Sequence, residues 1–170
     1  HADQRESAIA TAHAYFDDGS FVEDLSRLVE MPTVSQDPNA IPILHGYLQE
    51  LIVPYLSEDG FSCECFDNPE PDGTPLMVAE RYEADDLPTV LIYGHGDVVP
   101  GQEGMWRDGL GPWKPVIEDD RIYGRGTADN KGQHWINFTA LRTVLRTRGR
   151  LGFNCKILME MGEERGSYGL

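Results

Sequence analysis

Three short segments of this sequence combine a histidine or carboxylates with flanking glycines. They are Gly94-His95-Gly96-Asp97, Gly126-Thr127-Ala128-Asp129 and Gly162-Glu163-Glu164. An imidazole together with several carboxylates is a ligand set that suits zinc, cobalt or manganese. No cysteine lies in these segments, which argues against a closed structural zinc site. The pattern therefore favours a metal site that is not a closed structural site.

Each segment also has an interpretation that needs no metal. A histidine and an aspartate after a strand can form a hydrogen-bonded turn. Asp129 can be the N-cap of a following helix, and Glu163 and Glu164 can be solvated surface charges. Two carboxylates directly after an apolar strand are nevertheless unfavourable without a cation or a shared proton, because repulsion and desolvation both oppose ionisation. The joint occurrence of all three segments therefore favours the metal.

Apolar strands are predicted directly before two of these segments. Thr89–Tyr93 leads into His95, and Phe153–Met161 leads into the Glu163-Glu164 pair. Continuous apolar runs are typical of central strands that are covered on both faces. A spacing of 34 residues separates His95 from Asp129, and the same spacing separates Asp129 from Glu163. Because the carboxyl ends of the strands of an α/β sheet share one edge, we expect the three segments to converge there.

Amphipathic helices are predicted over residues 4–18, 20–30, 41–58 and 130–148, and further strands over 61–66, 76–82 and 121–123. A turn that includes Asp72 is predicted over 68–74, and an ordered surface loop with two tryptophans over 101–114. Pro54 is expected to kink or shorten its helix. Strands separated by helices predict an α/β fold of three layers, in which helices cover both faces of a largely parallel sheet.

The composition is that of a folded domain with an acidic surface. The chain has 170 residues, of which 40% are hydrophobic, and its 14 Lys and Arg against 29 Asp and Glu give a formal net charge of −15. This charge argues against nucleic acid and an anionic membrane as partners and suits a site that collects cations. The three cysteines (Cys63, Cys65 and Cys155) are expected to be reduced.

No apolar run approaches the ~20 residues that span a bilayer. The N-terminal residues also lack the basic and apolar regions of a signal peptide. We therefore expect a cytoplasmic location. The sequence begins at His1, so a removed leader stays open as an alternative.

The three segments resemble the ordered signatures of the dinuclear-zinc exopeptidases and deacylases. This family includes glutamate carboxypeptidases, aminoacylases, succinyl-diaminopimelate desuccinylases and dipeptidases. The resemblance is carried by Gly94–Pro100, Tyr123–Gly132 and Met161–Ser167, and it covers the chain from about Leu87 to its end. The variant Asp129–His134 is most similar to the dipeptidase-like branch. The resemblance implies a zinc-exopeptidase-like catalytic fold.

The resemblance also implies roles for five residues. His95 would bind one of two divalent metals, Asp129 would bridge both, and Glu164 would bind the other. Zinc is the expected metal, with cobalt and manganese as alternatives. Asp97 would accept the second N–H of the imidazole and fix its tautomer. Glu163 would be the general base toward the water that attacks an amide carbonyl.

The family's pattern contains further parts that these 170 residues lack. They are one more carboxylate ligand, a lid and dimerisation domain, and a late histidine ligand. We therefore expect residues 1–170 to be the N-terminal half of a catalytic domain, in which each metal keeps two protein ligands and binds weakly or not at all. Such a piece would be inactive and would leave a sheet edge and an apolar face exposed. A cis peptide bond between Asp129 and Asn130 is also implied.

The expected activity of the parent protein is hydrolysis of a peptide or N-acyl amide bond. Its substrate would be a small peptide or an N-acyl amino acid, and its lid domain would form a homodimer. Dipeptidase, carboxypeptidase and deacylase activities all stay open. The alternative is a naturally short, non-catalytic binding or scaffold module derived from the same fold. The length of the reading frame beyond Leu170 distinguishes the two hypotheses.

Overall fold

The computed structural model describes residues 2–71 and 73–170, so His1 and Asp72 of the predicted turn lie outside it. The described α-helices are α1 (Ala2–Asp17), α2 (Ser20–Glu30), α3 (Ile41–Gly46), α4 (Val53–Glu58) and α5 (Lys131–Arg148). The described strands are β1 (Ser62–Phe66), β2 (Leu76–Arg81), β3 (Thr89–His95), β4 (Val116–Glu118), β5 (Arg121–Tyr123) and β6 (Asn154–Glu160). The predicted α/β class is confirmed.

Four strands form one mixed sheet in the order β1-β2-β6-β3. The pairs β1–β2 and β2–β6 are antiparallel, and only β3–β6 is parallel among the described strands. The prediction of a largely parallel sheet is therefore wrong for this part of the chain. The connections over 67–75 and 82–88 are too short for a helical crossover, so they reverse the chain direction. The connection from β3 to β6 contains α5 and permits parallel pairing.

The helices pack against one face of this sheet. Met77, Ile157 and Met159 point to that face and are fully buried. They join the hydrophobic core formed by helical residues such as Leu48 and Phe138. This face supplies the apolar burial that stabilises the described fold.

The other face of β3 is open. Leu91 is 65% exposed and Tyr93 is 42% exposed, and β3 is an edge strand. The prediction of a central strand covered on both faces is thus wrong for the described residues, and so is the third layer. The apolar run indicates a strand suited to burial, but it does not identify what covers the strand. The exposed edge and apolar face implied by the family resemblance are present.

The predicted helix over 41–58 is interrupted, as Pro54 led us to expect. A π-helical segment, Tyr47–Ile52, separates α3 from α4, and the N–H of Val53 donates to the carbonyl of Leu48. Proline has no N–H, and its ring crowds the carbonyl four residues earlier, so the wider turn relieves this contact. The side chain of Tyr47 is fully buried at this break.

Strands β4 and β5 form a separate two-stranded sheet. The sequence predicted β5 but not β4. The loop before them is ordered as predicted, because the indole N–H groups of Trp106 and Trp113 donate to Gly101 and Glu103 at 2.7 and 2.9 Å. The segment that carries Asp129 follows this small sheet, not a strand of the main sheet as we had expected.

The three cysteines are free thiols, in agreement with the prediction. Within residues 2–71 and 73–170, we find no helix whose length and apolar character would let it span a membrane.

Candidate metal centre

The three segments meet at one edge of the main sheet. His95 ends β3 and pairs with Glu160, which ends β6. A single turn of 3₁₀ helix, Glu163–Arg165, follows β6 directly. The loop before α5 brings Asp129 to the same edge, where its Oδ1 lies 3.1 Å from Nε2 of His95. The predicted convergence is confirmed, although Asp129 arrives from the helix side of the sheet.

Three predicted residues surround one small volume, and a fourth, Asp129, contacts the histidine among them. Nitrogen or oxygen atoms of His95, Glu163 and Glu164 all lie within 4.8 Å of one another. Nε2 of His95 lies 3.7 Å from Oε2 of Glu163, and the Asp129 side chain is 78% exposed. The imidazole is therefore buried, whereas Asp129 and Glu163 face solvent and Glu164 is half-buried. Such a nitrogen and oxygen donor set fits a divalent metal ion.

The charges of the site also fit a cation. Burial and the charges of Asp129 and Glu163 raise the pKa of Glu164, because they disfavour its ionised form. Burial lowers the pKa of His95, but the hydrogen bond and charge of Asp97 outweigh burial and raise this pKa to about 9. A bound cation would relieve the repulsion between the carboxylates.

Asp97 joins the two strand ends. Its carboxylate is fully buried, and Oδ1 lies 3.2 Å from Nδ1 of His95. The backbone N–H groups of Glu163 and Glu164 donate to Oδ1 and Oδ2 at 3.2 and 3.1 Å. The hydroxyl of Ser35 donates to Oδ2 at 2.6 Å. Asp97 thus contacts the imidazole, as the resemblance implied, and also holds the glutamate segment.

Sequence reasoning missed the support given by residues 33–35. The hydroxyl of Thr33 donates to the carbonyl of Gly96 at 2.6 Å, and Ser35 contacts Asp97. These residues lie in a stretch with the composition of a loop, and 62 positions separate Ser35 from its partner. No local sequence pattern predicted that Thr33 and Ser35 would support the site.

A buried chain of hydrogen bonds lies behind His95. The side-chain oxygen of Asn130 accepts from the backbone N–H of His95 and from Nδ1 of His134, both at 3.1 Å. The hydroxyl of Tyr47 lies 2.7 Å from Nε2 of His134. Burial, followed by the charges of Lys131 and His95, lowers the pKa of His134 to about 3. The ring is therefore neutral, with Nδ1 as donor and Nε2 as acceptor.

The first turn of α5 is fixed by close packing. The fully buried Lys131 donates from Nζ to the carbonyls of Leu28 and Met31 at 2.8 and 2.7 Å. A Cβ atom on Gly132 would lie 1.9 Å from the carbonyl oxygen of Thr127. The peptide bond between residues 129 and 130 is cis, as the resemblance implied. Lys131 and Gly132 therefore fix the position of the start of α5.

A second buried carboxylate lies beneath the glutamates. Oε1 of Glu160 accepts from the hydroxyl of Tyr93 at 2.5 Å and from the hydroxyl of Ser167 at 2.8 Å. These contacts connect the segment that follows Glu164 to β3. Sequence reasoning placed Glu160 in a strand and assigned it no role.

Comparison with known proteins gives consistent matches. Residues 91–170 match the model of peptidase family M20/M25/M40. The chain is 38% identical over 109 residues to the Beta-Ala-His dipeptidase of Mus musculus, covering 59% of this chain and 21% of that protein. It is 32% identical over 124 residues to the acetylornithine deacetylase of Photorhabdus laumondii, covering 73% of this chain and 31% of that protein.

The fold is similar to a solved dipeptidase structure. The crystal structure of human carnosine dipeptidase 1 matches with a TM-score of 0.83 and 27% sequence identity. The match covers 97% of this chain and 36% of that chain. The present chain therefore spans about a third of the length of this relative and less of the mouse dipeptidase.

Proposed function

We propose that this chain, whose residues 91–170 match the model of peptidase family M20/M25/M40, is a member of that family. We further propose that it is the N-terminal part of a metal-dependent catalytic domain that hydrolyses a peptide or N-acyl amide bond. The observation that carries the proposal is the close approach of His95, Glu163 and Glu164, whose potential ligand atoms lie within 4.8 Å of one another. The contact of Asp129 with His95 adds a fourth group to this cluster.

The proposed ligand set is His95 for one metal, Glu164 for the other and Asp129 as the bridge. Zinc is the proposed metal, and cobalt and manganese suit the same donors. Bound divalent ions would polarise the scissile carbonyl and lower the pKa of the attacking water. The raised pKa of Glu164 supports this assignment, because burial and the neighbouring carboxylates of Asp129 and Glu163 outweigh the opposing charge of His95.

Glu163 is the proposed general base. Its side chain is 44% exposed and faces the open side of the site. It would take a proton from the attacking water and return it to the leaving amine nitrogen. Asp97 would hold Nδ1 of the imidazole, which leaves Nε2 directed toward the proposed metal.

The proposed substrate is a short peptide or an N-acyl amino acid. The names of the mouse dipeptidase and the bacterial deacetylase support these two substrate classes. The chain covers 36% of the human dipeptidase chain, 31% of the bacterial deacetylase and 21% of the mouse dipeptidase. We therefore propose that further ligands and a lid that forms a homodimer belong to the whole protein.

The test uses the product of the complete reading frame. We expect hydrolysis of β-Ala-His or N-acetylornithine that is lost with a chelator and restored by zinc. Glu163→Gln should abolish turnover while the metal content stays near that of the unchanged protein, because the substitution removes the base and keeps the ligands. Substantial activity in Glu163→Gln would place the base elsewhere. A reading frame that stops at Leu170 would favour the non-catalytic module instead.

A further inference from the structure

Ser35 lies against the carboxylate that connects the two sides of the metal centre. Its side chain is buried, and its hydroxyl donates to Oδ2 of Asp97 at 2.6 Å. We propose that Ser35 is a positioning residue, which fixes the Asp97 carboxylate and thereby sets the imidazole of His95 in register with the Glu163-Glu164 segment.

The two oxygens of Asp97 have different partners. Oδ1 lies 3.2 Å from Nδ1 of His95 and accepts from the N–H of Glu163 at 3.2 Å. Oδ2 accepts from the N–H of Glu164 and from Ser35. The terminal torsion of an aspartate side chain has only a broad intrinsic preference, so its neighbours determine the orientation. The Ser35 contact is the shortest of these and contributes most to the position of Oδ1. The imidazole itself is also held by the backbone, because its Nδ1 lies 3.1 Å from the carbonyl oxygen of Asp97.

Ser35 is itself held by the backbone on which Asp97 lies. The N–H of Val98 donates to the carbonyl of Thr33 at 2.9 Å, and Val34 forms a parallel bridge with Val98. The hydroxyl of Thr33 donates to the carbonyl of Gly96. Residues 33–35 thus run beside residues 96–98, and Thr33 is hydrogen-bonded to the residues on either side of Asp97. A hydroxyl held in this way can orient a carboxylate because its own position is fixed.

The Ser35 hydroxyl also supplies a hydrogen bond to a buried anion, the Asp97 carboxylate. A hydrogen bond to a charged group is stronger than one between neutral groups, and its loss inside the protein leaves a lone pair of the carboxylate without a donor. Removal of this bond is expected to change a local equilibrium by roughly tenfold to a hundredfold. The change should appear at the groups that share the carboxylate with Ser35, which are the Glu163 and Glu164 amides.

The experiment is amide hydrogen exchange, followed by NMR in the 170-residue chain without metal. Ser35→Ala is compared with Ser26→Ala, which removes a hydroxyl that donates to the carbonyl of Val22 inside α2 at 2.7 Å. Ile157 reports on global opening, because it lies in the central strand and pairs on both sides. In Ser35→Ala we expect Glu163 and Glu164 to exchange about tenfold faster or more, with Ile157 unchanged. Ser26→Ala should leave the two glutamate amides unchanged.

Two further variants separate positioning from a loss of folding. Ser35→Cys keeps the shape of the side chain with a weaker donor, so it should fold and should also accelerate exchange at Glu163 and Glu164. It therefore provides the test if the alanine variant does not fold. Ser35→Thr keeps the hydroxyl and should restore at least part of the protection. Unchanged exchange at Glu163 and Glu164 in folded Ser35→Cys would overturn the proposal, and so would equal acceleration at Ile157.

The expected effect of this positioning on zinc binding rests on the proposed function, but the amide exchange measurement does not. A zinc titration of Ser35→Ala should show at least about threefold weaker binding than Ser26→Ala, because two ligand segments lose their common anchor. Faster amide exchange in Ser35→Ala, together with a product of the complete reading frame that takes up no zinc, would support the positioning role and count against the proposed function.

Discussion

The imidazole of His95 lies 3.1 Å from the carboxylate of Asp129, although the two residues are 34 positions apart in the sequence. His95 ends a strand of the main sheet, and Asp129 precedes α5, so the contact joins the sheet to its helical layer. Two packed elements therefore determine the geometry of the proposed metal centre. Changes at these elements give predictions that can be tested in the chain itself.

Zinc should bind the 170-residue chain weakly. The proposed ligands leave each metal with two protein groups, fewer than the three of an ordinary catalytic zinc site, so we expect a Kd of roughly 1 µM or weaker. The pKa of His95 is raised to about 9, so zinc must displace a proton and the affinity should increase as the pH rises toward 9. Titration calorimetry at several pH values measures both effects.

The control for this titration is a second histidine. His95→Ala should weaken zinc binding about tenfold or more, whereas His13→Ala, at an exposed position of α1, should not change it. A tight isotherm with two metals per chain would contradict the proposed ligand count.

Gly132→Ala should destabilise the chain. The added Cβ would lie 1.9 Å from a backbone oxygen of Thr127, so the start of α5 must move. We expect a loss of about 1–3 kcal/mol in the free energy of unfolding, measured with urea. Gly104→Ala is the matched control, because none of the described atoms lies within 4 Å of its Cβ position. Equal stability of the two variants would show that the first turn of α5 is more adaptable than its packing indicates.

The stability of the chain should depend on pH through His134. Burial and the nearby charges of Lys131 and His95 lower its pKa in the folded chain to about 3, whereas an unfolded histidine has a pKa of about 6.5. Between these values the unfolded state binds more protons, so acid favours unfolding. The contribution should fall by at most about 1.4 kcal/mol for each pH unit below 6.5.

The measurement compares urea unfolding of the unchanged chain and His134→Gln at pH 7 and pH 5. The variant loses the contact with Tyr47 and should be less stable at pH 7. Its stability should nevertheless decrease less between the two pH values, because it has no side chain that takes up a proton at this position. Parallel pH dependences in the two proteins would show that His134 is not held neutral.

Leu91→Lys should reduce self-association of the chain at high concentration. Leu91 is 65% exposed on an edge strand, where an unpaired backbone and an apolar surface favour contacts between molecules. Sedimentation velocity at increasing concentration measures this effect. Ile136→Lys changes a similarly exposed apolar residue on α5 and should have little influence. A larger effect of Ile136→Lys would show that the surface responsible for self-association lies on the helical layer.

Local patterns predicted the helices and strands of this chain well. Apolar periodicity marked α5, and Pro54 marked the break between α3 and α4. The convergence of the three segments followed from the rule that strand ends share one sheet edge. The order and direction of the strands did not follow, because pairing of β2 with β6 depends on contacts between residues such as Ala79 and Ile157 that lie far apart in the sequence.

The inner support of the site was also beyond local patterns. The hydroxyl of Tyr47 meets His134 across 87 positions, and Ser35 meets Asp97 across 62. Serine and tyrosine are common residues that have no distinctive spacing in this sequence. The local pattern of apolar residues did not indicate the exposure of β3, since an apolar strand looks the same in sequence whether or not a neighbouring segment covers it.

The hydrogen bonds of Asp97 connect the ends of β3 and β6 through protein atoms. We therefore expect folding and metal uptake to be separate equilibria in this chain, unlike those of a zinc finger, whose fold requires its ion. A chelator should lower the melting temperature only by the amount by which the bound metal had raised it. The chain would thus stay folded while its site loses and takes up the metal repeatedly.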